Sequence, residues 1–265
     1  MGIKLIVIGA AGRMGSRIVT LAVESGLFDI VSALEIQGHP LIGKDLGFTG
    51  PTGPIKLTDA FPVDVADVVI DFSMPDATVK TIDYCLENNV PLVSGTTGLS
   101  EKQLEKIMKA AERIPILYAT NMSVGMNVLF KLVGKIATIL GDEYDIEIVE
   151  QHHNKKKDSP SGTALTLAEN ICKATGRNFP ESLVHGRHGK GALRQKGTIG
   201  IHAVRAGDIT GIHSIIFGTP GETIVLNHTA NSRDTFTRGA LRAAQWIIGK
   251  NPALYSMADI LDIKD

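Results

Sequence analysis

The amino-acid sequence predicts an α/β protein of two domains. A doubly wound parallel sheet with helices on both faces comes first, then an α+β domain around a mixed, mostly antiparallel sheet. Three observations carry that expectation. Short apolar runs alternate with helix-period segments through the first half of the 265-residue chain, as in parallel sheets with crossover helices. A glycine-rich turn, Gly9-Ala10-Ala11-Gly12-Arg13-Met14-Gly15, joins the first strand to the first helix. Past Gly125 the alternation stops, and three strand-like runs follow through short glycine-containing turns, which favours antiparallel pairing.

In order, residues 4–8 are an apolar strand, residues 14–25 a helix with apolar positions at Ile18, Leu21 and Ala22, and residues 29–34 a second strand. A polar, Gly/Pro-rich stretch, 37–54, receives no element. Strands at 65–70, 91–94 and 114–119 then alternate with helices at 76–88 and 101–112. In the second half, residues 127–140 read as a long apolar helix, 144–151 as a strand and 163–175 as a helix closed by Gly176. The late strands are 198–205, 211–217 and 222–228, joined by turns at 206–208 and 218–221, and an amphipathic helix spans 237–248. Ile199, Ile201, Ile212, Ile215 and Val225 are expected to leave apolar surface on the second sheet beyond what one helix layer covers. The domains expected are 1–125 and 126–233.

Composition narrows the class. Hydrophobic residues at 43% and charged residues at 21% fit a packed globular protein. A formal net charge of -1 offers no surplus of cations to displace counterions, so no nucleic-acid partner is expected. Cys85 and Cys172 lie in apolar helical contexts, with no His or second Cys at ligand spacing. They read as core thiols in a reducing compartment, the cytoplasm, and no metal is expected. The apolar start is too short for a signal peptide and runs into glycines. No apolar run approaches the ~20 residues of a membrane span, so no membrane partner is expected.

In the glycine turn, glycines permit a tight bend, close approach of a pyrophosphate and close helix packing, while the helix N-terminus offers N–H groups to phosphates. Ala10 stands at the usual first-glycine position. Glu35 closes the second strand 20 positions after Gly15, where an acidic residue meets ribose hydroxyls in dinucleotide sites. The combination points to a Rossmann-type, NAD(P)-binding first domain. Turns at Gly95-Thr96-Thr97 and Thr120-Asn121-Met122-Ser123 fall after later strands of the same sheet, on the side where such sheets bind ligands.

The segment from Glu147 to Ala164 carries the chemistry: His152, His153, Lys155, Lys156 and Lys157 lie between a strand and a helix start with Ser161 as N-cap candidate. N–H groups at Gly162 and Thr163, with the helix dipole, attract a carboxylate. The lysines and histidines add positive charge and proton donors. Adjacent histidines on a strand point to opposite faces, which suits shared ligation of one metal ion poorly.

This segment resembles the signature of the dihydrodipicolinate reductase family, with Glu150, His152, His153, Lys156, Asp158, Pro160, Ser161, Gly162 and Thr163 all in register. The glycine turn, Asp71-Phe72-Ser73, Gly95-Thr96-Thr97-Gly98, Asn121-Met122-Ser123-Val124-Gly125, Val204-Arg205-Ala206-Gly207-Asp208-Ile209 and Ser232-Arg233 extend the resemblance over nearly the whole chain. It implies NADH or NADPH held by Gly9, Ala10, Ala11, Gly12, Arg13, Met14, Glu35, Gly95, Thr96, Thr97, Thr120, Asn121, Met122 and Ser123. It implies a small dicarboxylate substrate held by His153, Gly162 and Thr163, and proton transfer by His152 or Lys156. A homotetramer, and residues 234–265 folded back on the first domain, are implied likewise. Two positions depart from the family pattern: Ile36 stands where many members have an Arg that can meet a 2′-phosphate, and Ser159 where Ala is common.

Two other functions share some of this pattern. Aspartate or semialdehyde dehydrogenases have the two-domain layout, but the semialdehyde type needs a nucleophilic Cys, and both cysteines here sit in helices. A non-catalytic NAD(P)-sensing protein would need no His/Lys segment.

Overall fold

The computed structural model describes residues 2–51, 53–63 and 66–262. In chain order the elements are β1 (Ile3–Ile8), α1 (Gly15–Ser25), β2 (Phe28–Leu34), β3 (Asp45–Gly50), β4 (Gly53–Thr58), β5 (Val68–Asp71), α2 (Pro75–Asn88), β6 (Leu92–Ser94), α3 (Glu101–Ala111) and β7 (Pro115–Tyr118). Then come α4 (Val124–Leu140), β8 (Asp145–His152), α5 (Gly162–Thr175), β9 (Leu183–His185), β10 (Ile199–Arg205), β11 (Ile212–Thr219), β12 (Glu222–Thr229), α6 (Asp234–Ile247), β13 (Ala253–Tyr255) and α7 (Met257–Ile260). The chain divides into two compact units: the described residues up to Val124 together with Arg233–Asp262, and Gly125–Ser232.

The sheet of the first unit has the order β13-β7-β6-β5-β1-β2-β4-β3. All its pairings are parallel except β3–β4. Its faces explain the unbroken apolar run of β1. Leu5 and Val7 pack with Ile18 and Leu21 of α1 and with Ala240, Ala244 and Ile247 of α6. Ile6 and Ile8 point the other way, to Ile82 and Cys85 of α2 and Ile107 and Ala110 of α3. A strand buried on both faces needs apolar residues at every position. The chain moves outward from β1 in one direction through β2 and in the other through β5. The turns after β1 and β5 therefore flank the point where strand order reverses, the usual ligand crevice of such sheets.

The stretch 37–54, to which the sequence assigns nothing, contains β3 and leads into β4. Its alternation is faint: Leu46 and Phe48 are half-buried, while Ile55 and Leu57 of β4 are buried. Surrounding glycines and a proline mask that period. Val65, the expected start of the third strand, lies outside the described residues.

The second unit has a five-stranded sheet ordered β12-β11-β8-β10-β9. The sheet is mixed, but evenly so: β12–β11 and β11–β8 are antiparallel, β8–β10 and β10–β9 parallel. The expected hairpin between β10 and β11 does not form, because β8 lies between them. Gly200 of β10 pairs opposite Glu147 of β8, and a Cβ at Gly200 would fall 1.9 Å from the Glu147 carboxylate. The missing side chain leaves room for that carboxylate over β10. The β11–β12 hairpin does form, with Thr219 opposite Glu222.

One face of this sheet, with Ile146, Ile148, Ile199, Ile201, Ile215 and Phe217, packs on α4 and α5. At Gly134 the helices approach so closely that a Cβ would come 2.8 Å from that of Ala174. Ile199, Ile201 and Ile215 thus belong to the covered face, contrary to expectation, because the strands alternate out of step with a simple count of isoleucines. The open face instead carries Val149, Ile212 and Ile216, half-buried, with Val204 and Val225 exposed at 40% and 53%. The expectation that no apolar run reaches span length also needs correction. The stretch Val124–Glu143, α4 plus a following 3-10 turn, has 20 residues and a mean hydropathy of 1.5. Its buried residues, Met126, Val133, Gly134 and Ala137, mark one side as the core-facing stripe of the second unit.

Candidate active site

In the first unit the glycine turn is fixed by contact. Gly9 has φ +75, and a Cβ on it would lie 2.5 Å from the Phe72 carbonyl oxygen. A Cβ on Gly15 would lie 2.0 Å from the Gly9 carbonyl oxygen. Only glycine brings the start of α1 this close to the end of β1. Gly12 and Arg13 are left exposed at the helix start, and Ala10 is buried beneath. Glu35 reaches back to the turn: its carboxylate accepts from the Ala11 N–H at 3.1 Å and from the Ile36 N–H at 3.0 Å. These features fit the pyrophosphate and adenosine ribose of a dinucleotide.

The neighbouring loops are tied together beneath their surface. Asp71, fully buried at the end of β5, accepts from the Ser73 hydroxyl at 2.5 Å and the Ser73 N–H at 3.1 Å. The Ser73 N–H also donates to the Thr96 hydroxyl at 3.2 Å. Burial raises the Asp71 pKa, against the pull of the Ser73, Thr78 and Thr96 hydrogen bonds. Gly95 carries the Phe72 ring directly on its backbone, since a Cβ there would sit 2.3 Å from the ring. Thr97 and Thr120 are exposed, Asn121 is half-buried, and Thr96, Met122 and Ser123 are buried. Met122 lies against α6, where a Cβ at Gly239 would overlap its carbonyl. The side chains of Thr96, Met122 and Ser123 thus hold the loops in shape.

In the second unit the signature segment folds into one cluster around Glu150. This carboxylate is fully buried on the covered face of β8. Arg205, at the end of β10, binds it through both terminal nitrogens at 2.7 and 2.8 Å, and also donates to the Asp158 carbonyl at 2.7 Å. The Ser161 N–H donates to Glu150 at 3.0 Å, and His152 Nδ1 lies 2.6 Å away. Burial pushes the Glu150 pKa up, but Arg205, His152 and the Ser161 N–H outweigh it and leave the carboxyl below its ordinary value. His152 is only 8% exposed; burial lowers its pKa despite the Glu150 charge.

Ser161 caps α5, accepting from the Ala164 N–H at 3.2 Å, and its hydroxyl meets His213 Nε2 at 3.1 Å. Gly162 is exposed, and a Cβ there would meet nothing within 4 Å, so the helix N-terminus opens onto free space. His153 and Thr163 are half-buried, and the Lys156 ammonium sits 2.9 Å from Asp158. A second network lies on the open face: Glu147 binds Arg187, Arg194 and His202. Burial alone would raise its pKa, but these partners hold it at about 2. Among the described residues no group of His, Cys, Asp and Glu is arranged to hold a metal ion.

Two family models divide the chain between them. "Dihydrodipicolinate reductase, N-terminus" matches residues 3–122, and "Dihydrodipicolinate reductase, C-terminus" matches residues 125–261. The chain belongs to the dihydrodipicolinate reductase family. The 4-hydroxy-tetrahydrodipicolinate reductase of Trichlorobacter lovleyi is 45% identical over 266 aligned positions, covering 99% of this chain and 100% of the relative. That of Syntrophotalea carbinolica is 44% identical with the same coverage. A dipicolinate-bound dihydrodipicolinate reductase from Paenisporosarcina sp. TG-14 has the same fold, with a TM-score of 0.74 at 23% identity, covering 98% of this chain and 99% of that one. GenD2 from gentamicin A biosynthesis, solved with NAD, shares the fold more distantly, with a TM-score of 0.62 at 11% identity, covering 98% and 90%.

Sequence reading of this dihydrodipicolinate reductase family member missed three supporting residues: Asp71, Arg205 and His213. Asp71 and Arg205 sit inside recognisable motifs, but nothing local says what they bind. His213 carried only its alternation with Ile215 and Phe217, which places it on the covered face.

His213 supplies a test of the site's burial. It is 4% exposed, and burial, reinforced by nearby His152, holds its pKa at about 3 against an ordinary 6.5. The unfolded chain gains a proton below pH 6.5 that the folded protein refuses until about pH 3. Stability from this residue is therefore complete above pH 6.5 and drains away as pH falls through that window. The thermal midpoint should drop between pH 7 and pH 5, and His213→Gln should show a shallower drop. Equal slopes in the two proteins would mean that His213 is not held neutral.

Proposed function

We propose that this chain catalyses the NAD(P)H-dependent reduction of 4-hydroxy-tetrahydrodipicolinate to tetrahydrodipicolinate in the diaminopimelate route to lysine. The observation that carries this reading is the Glu150-centred cluster, in which one buried carboxylate holds the Ser161 cap of α5 directly and the Lys156–Asp158 loop through Arg205. The substrate loses its 4-hydroxyl as water and is reduced at ring carbon C4, and the nicotinamide, when bound, supplies the hydride. In the first unit, Gly9, Ala10, Ala11, Gly12, Arg13 and Met14 hold the pyrophosphate, Glu35 the ribose, and the loops at Gly95–Thr97 and Thr120–Ser123 the nicotinamide side. In the second unit, His153, Gly162 and Thr163 hold the carboxylates, with the helix N-terminus orienting the ring.

Reduction at C4 leaves an enamine, and C3 then needs a proton. His152 commits Nδ1 to Glu150 and is disfavoured as a cation by burial, so it is a poor donor. We assign the donor role to Lys156, whose side chain is 21% exposed and pairs with Asp158 at 2.9 Å. Lys156→Ala should lower kcat about 10²–10⁴-fold with an unchanged thermal midpoint. The assay follows cofactor oxidation with substrate made in situ by the preceding synthase. Wild-type turnover in the variant at saturating substrate would remove Lys156 from the mechanism, and no turnover by the parent enzyme would remove the proposed reaction.

The open face of the second sheet, with Val149, Val204, Ile212, Ile216 and Val225, supports a homotetramer built through that face. The buried, unpaired cysteines, Cys85 and Cys172, suit the reducing cytoplasm. Light scattering at micromolar concentration should give the mass of four chains; a monomer mass would overturn the assembly.

Cofactor choice follows from Glu35 and Ile36. The Glu35 carboxylate is tethered at the turn, where it meets a ribose hydroxyl well and a 2′-phosphate badly. Ile36, 66% exposed, supplies no compensating cation. Arg13 and the lysine at position 44 are free to approach a phosphate only from solvent, where such contacts are weak. NADH should therefore be used at least as well as NADPH, measured as kcat/KM for each with the same substrate. A preference for NADPH of about ten-fold, or 1.4 kcal/mol, would refute this. Ile36→Arg should move the ratio toward NADPH.

A further inference from the structure

Glu150 has an arrangement that its place in a signature does not explain. One oxygen accepts from the Ser161 N–H at 3.0 Å and Arg205 Nη2 at 2.7 Å; the other faces His152 Nδ1 at 2.6 Å and Arg205 Nη1 at 2.8 Å. All four lone-pair sites of a fully buried carboxylate are thus used. The three partners belong to three regions of the site. His152 ends β8, Ser161 caps α5, and Arg205 reaches on to the Asp158 carbonyl in the loop that carries Lys156. That loop is pinned at its other end as well, where the Asn154 N–H donates to the Gly207 carbonyl at 3.1 Å.

We propose that Glu150 is a positioning residue that fixes the proton of His152 on Nδ1 and locks the α5 N-terminus and the Lys156 loop into one anion-binding unit. The chemistry leaves little choice. An ionised carboxylate only accepts hydrogen bonds, so at 2.6 Å His152 must carry its proton on Nδ1. The neutral ring then presents Nε2 as a lone pair. Nε2 lies beside Gly211, where a Cβ would approach to 3.2 Å, so its edge is kept clear by a glycine. The His213 ring lies edge to face with that of His152, with ring centroids 5.1 Å apart. Glu150 thereby makes His152 an acceptor, while the Ser161 bond fixes where the first N–H groups of α5 point. A glutamine at 150 keeps the shape but has one acceptor oxygen and an NH₂ group that faces either His152 or Arg205 as a competing donor. Facing His152, it would force the ring proton to Nε2.

This inference rests on the functional reading above, and the experiment separates the two. In histidine-¹⁵N-labelled wild-type protein, with His152→Gln used to identify its signal, His152 should show the Nδ1–H tautomer at pH 7.5. An Nε2–H tautomer would overturn the proposal without any reference to substrate. In Glu150→Gln, the dissociation constant for pyridine-2,6-dicarboxylate should rise roughly ten-fold or more, as expected for losing a hydrogen-bonded charge. The NADH dissociation constant, set in the other unit, should stay within about two-fold, and a cooperative thermal transition like that of the wild type reports that the variant is folded. Unchanged dicarboxylate affinity in that folded variant would overturn the positioning role, and the wild-type tautomer decides if the variant does not fold. Failure of the wild type to bind any dicarboxylate would instead strike the functional reading.

Discussion

A carboxylate taken fully out of water is strongly destabilising unless donors replace its hydration. In the second unit that constraint falls on Glu150, and satisfying it dictates most of the site. The guanidinium of Arg205 neutralises the charge, which requires the end of β10 to lie beside the end of β8. On the other face, Gly200 leaves room for the Glu147 carboxylate to lie over β10. The remaining acceptor sites draw in Ser161 and His152, so the cap of α5 and the end of β8 converge. The sheet topology and the chemistry of the loop are thus two results of one burial problem.

The first unit solves its problem with glycine instead of charge. At the start of α1 the preceding strand and the helix nearly touch, and Gly9 and Gly15 permit that contact. On the neighbouring strand, Asp71 has a quieter role, linking Ser73 and, through it, Thr96. Under the proposed function both units present a helix start to an anion, α1 in one and α5 in the other. They differ in support: backbone contact below α1, and a buried ion pair below α5.

The parallel sheet, its helices and the turns before α1 and α5 were legible in the sequence because each rests on a local signal: unbroken apolar runs, helical period, glycines, or a serine cap. What was not legible depends on partners distant in sequence. The turn after Arg205 looks like a hairpin, yet β8, some fifty residues earlier, occupies the place of the partner strand. The faces of β10 and β11 were misjudged for the same reason, since which alternate residue points inward is set by register against β8. β3 hid behind glycines that broke a weak alternation of Leu46 and Phe48. His152 was legible as a chemical group, but its burial between Glu150 and His213, which disfavours its cation, was not.

The same dependence bears on how the site tolerates change. A surface ion pair such as Lys156–Asp158 can be broken with small effect on stability, because water replaces either partner. The Glu150–Arg205 pair cannot: removing Arg205 would leave a buried anion with only the His152 and Ser161 donors, and single losses of this kind typically cost about 3–5 kcal/mol. Lys156 and Asp158 are therefore freer to vary, as far as folding goes, than the Glu150 and Arg205 charges beneath them. On the proposed reading, a partly exposed lysine on a loop held from below can be retuned without unfolding the sheet that holds it.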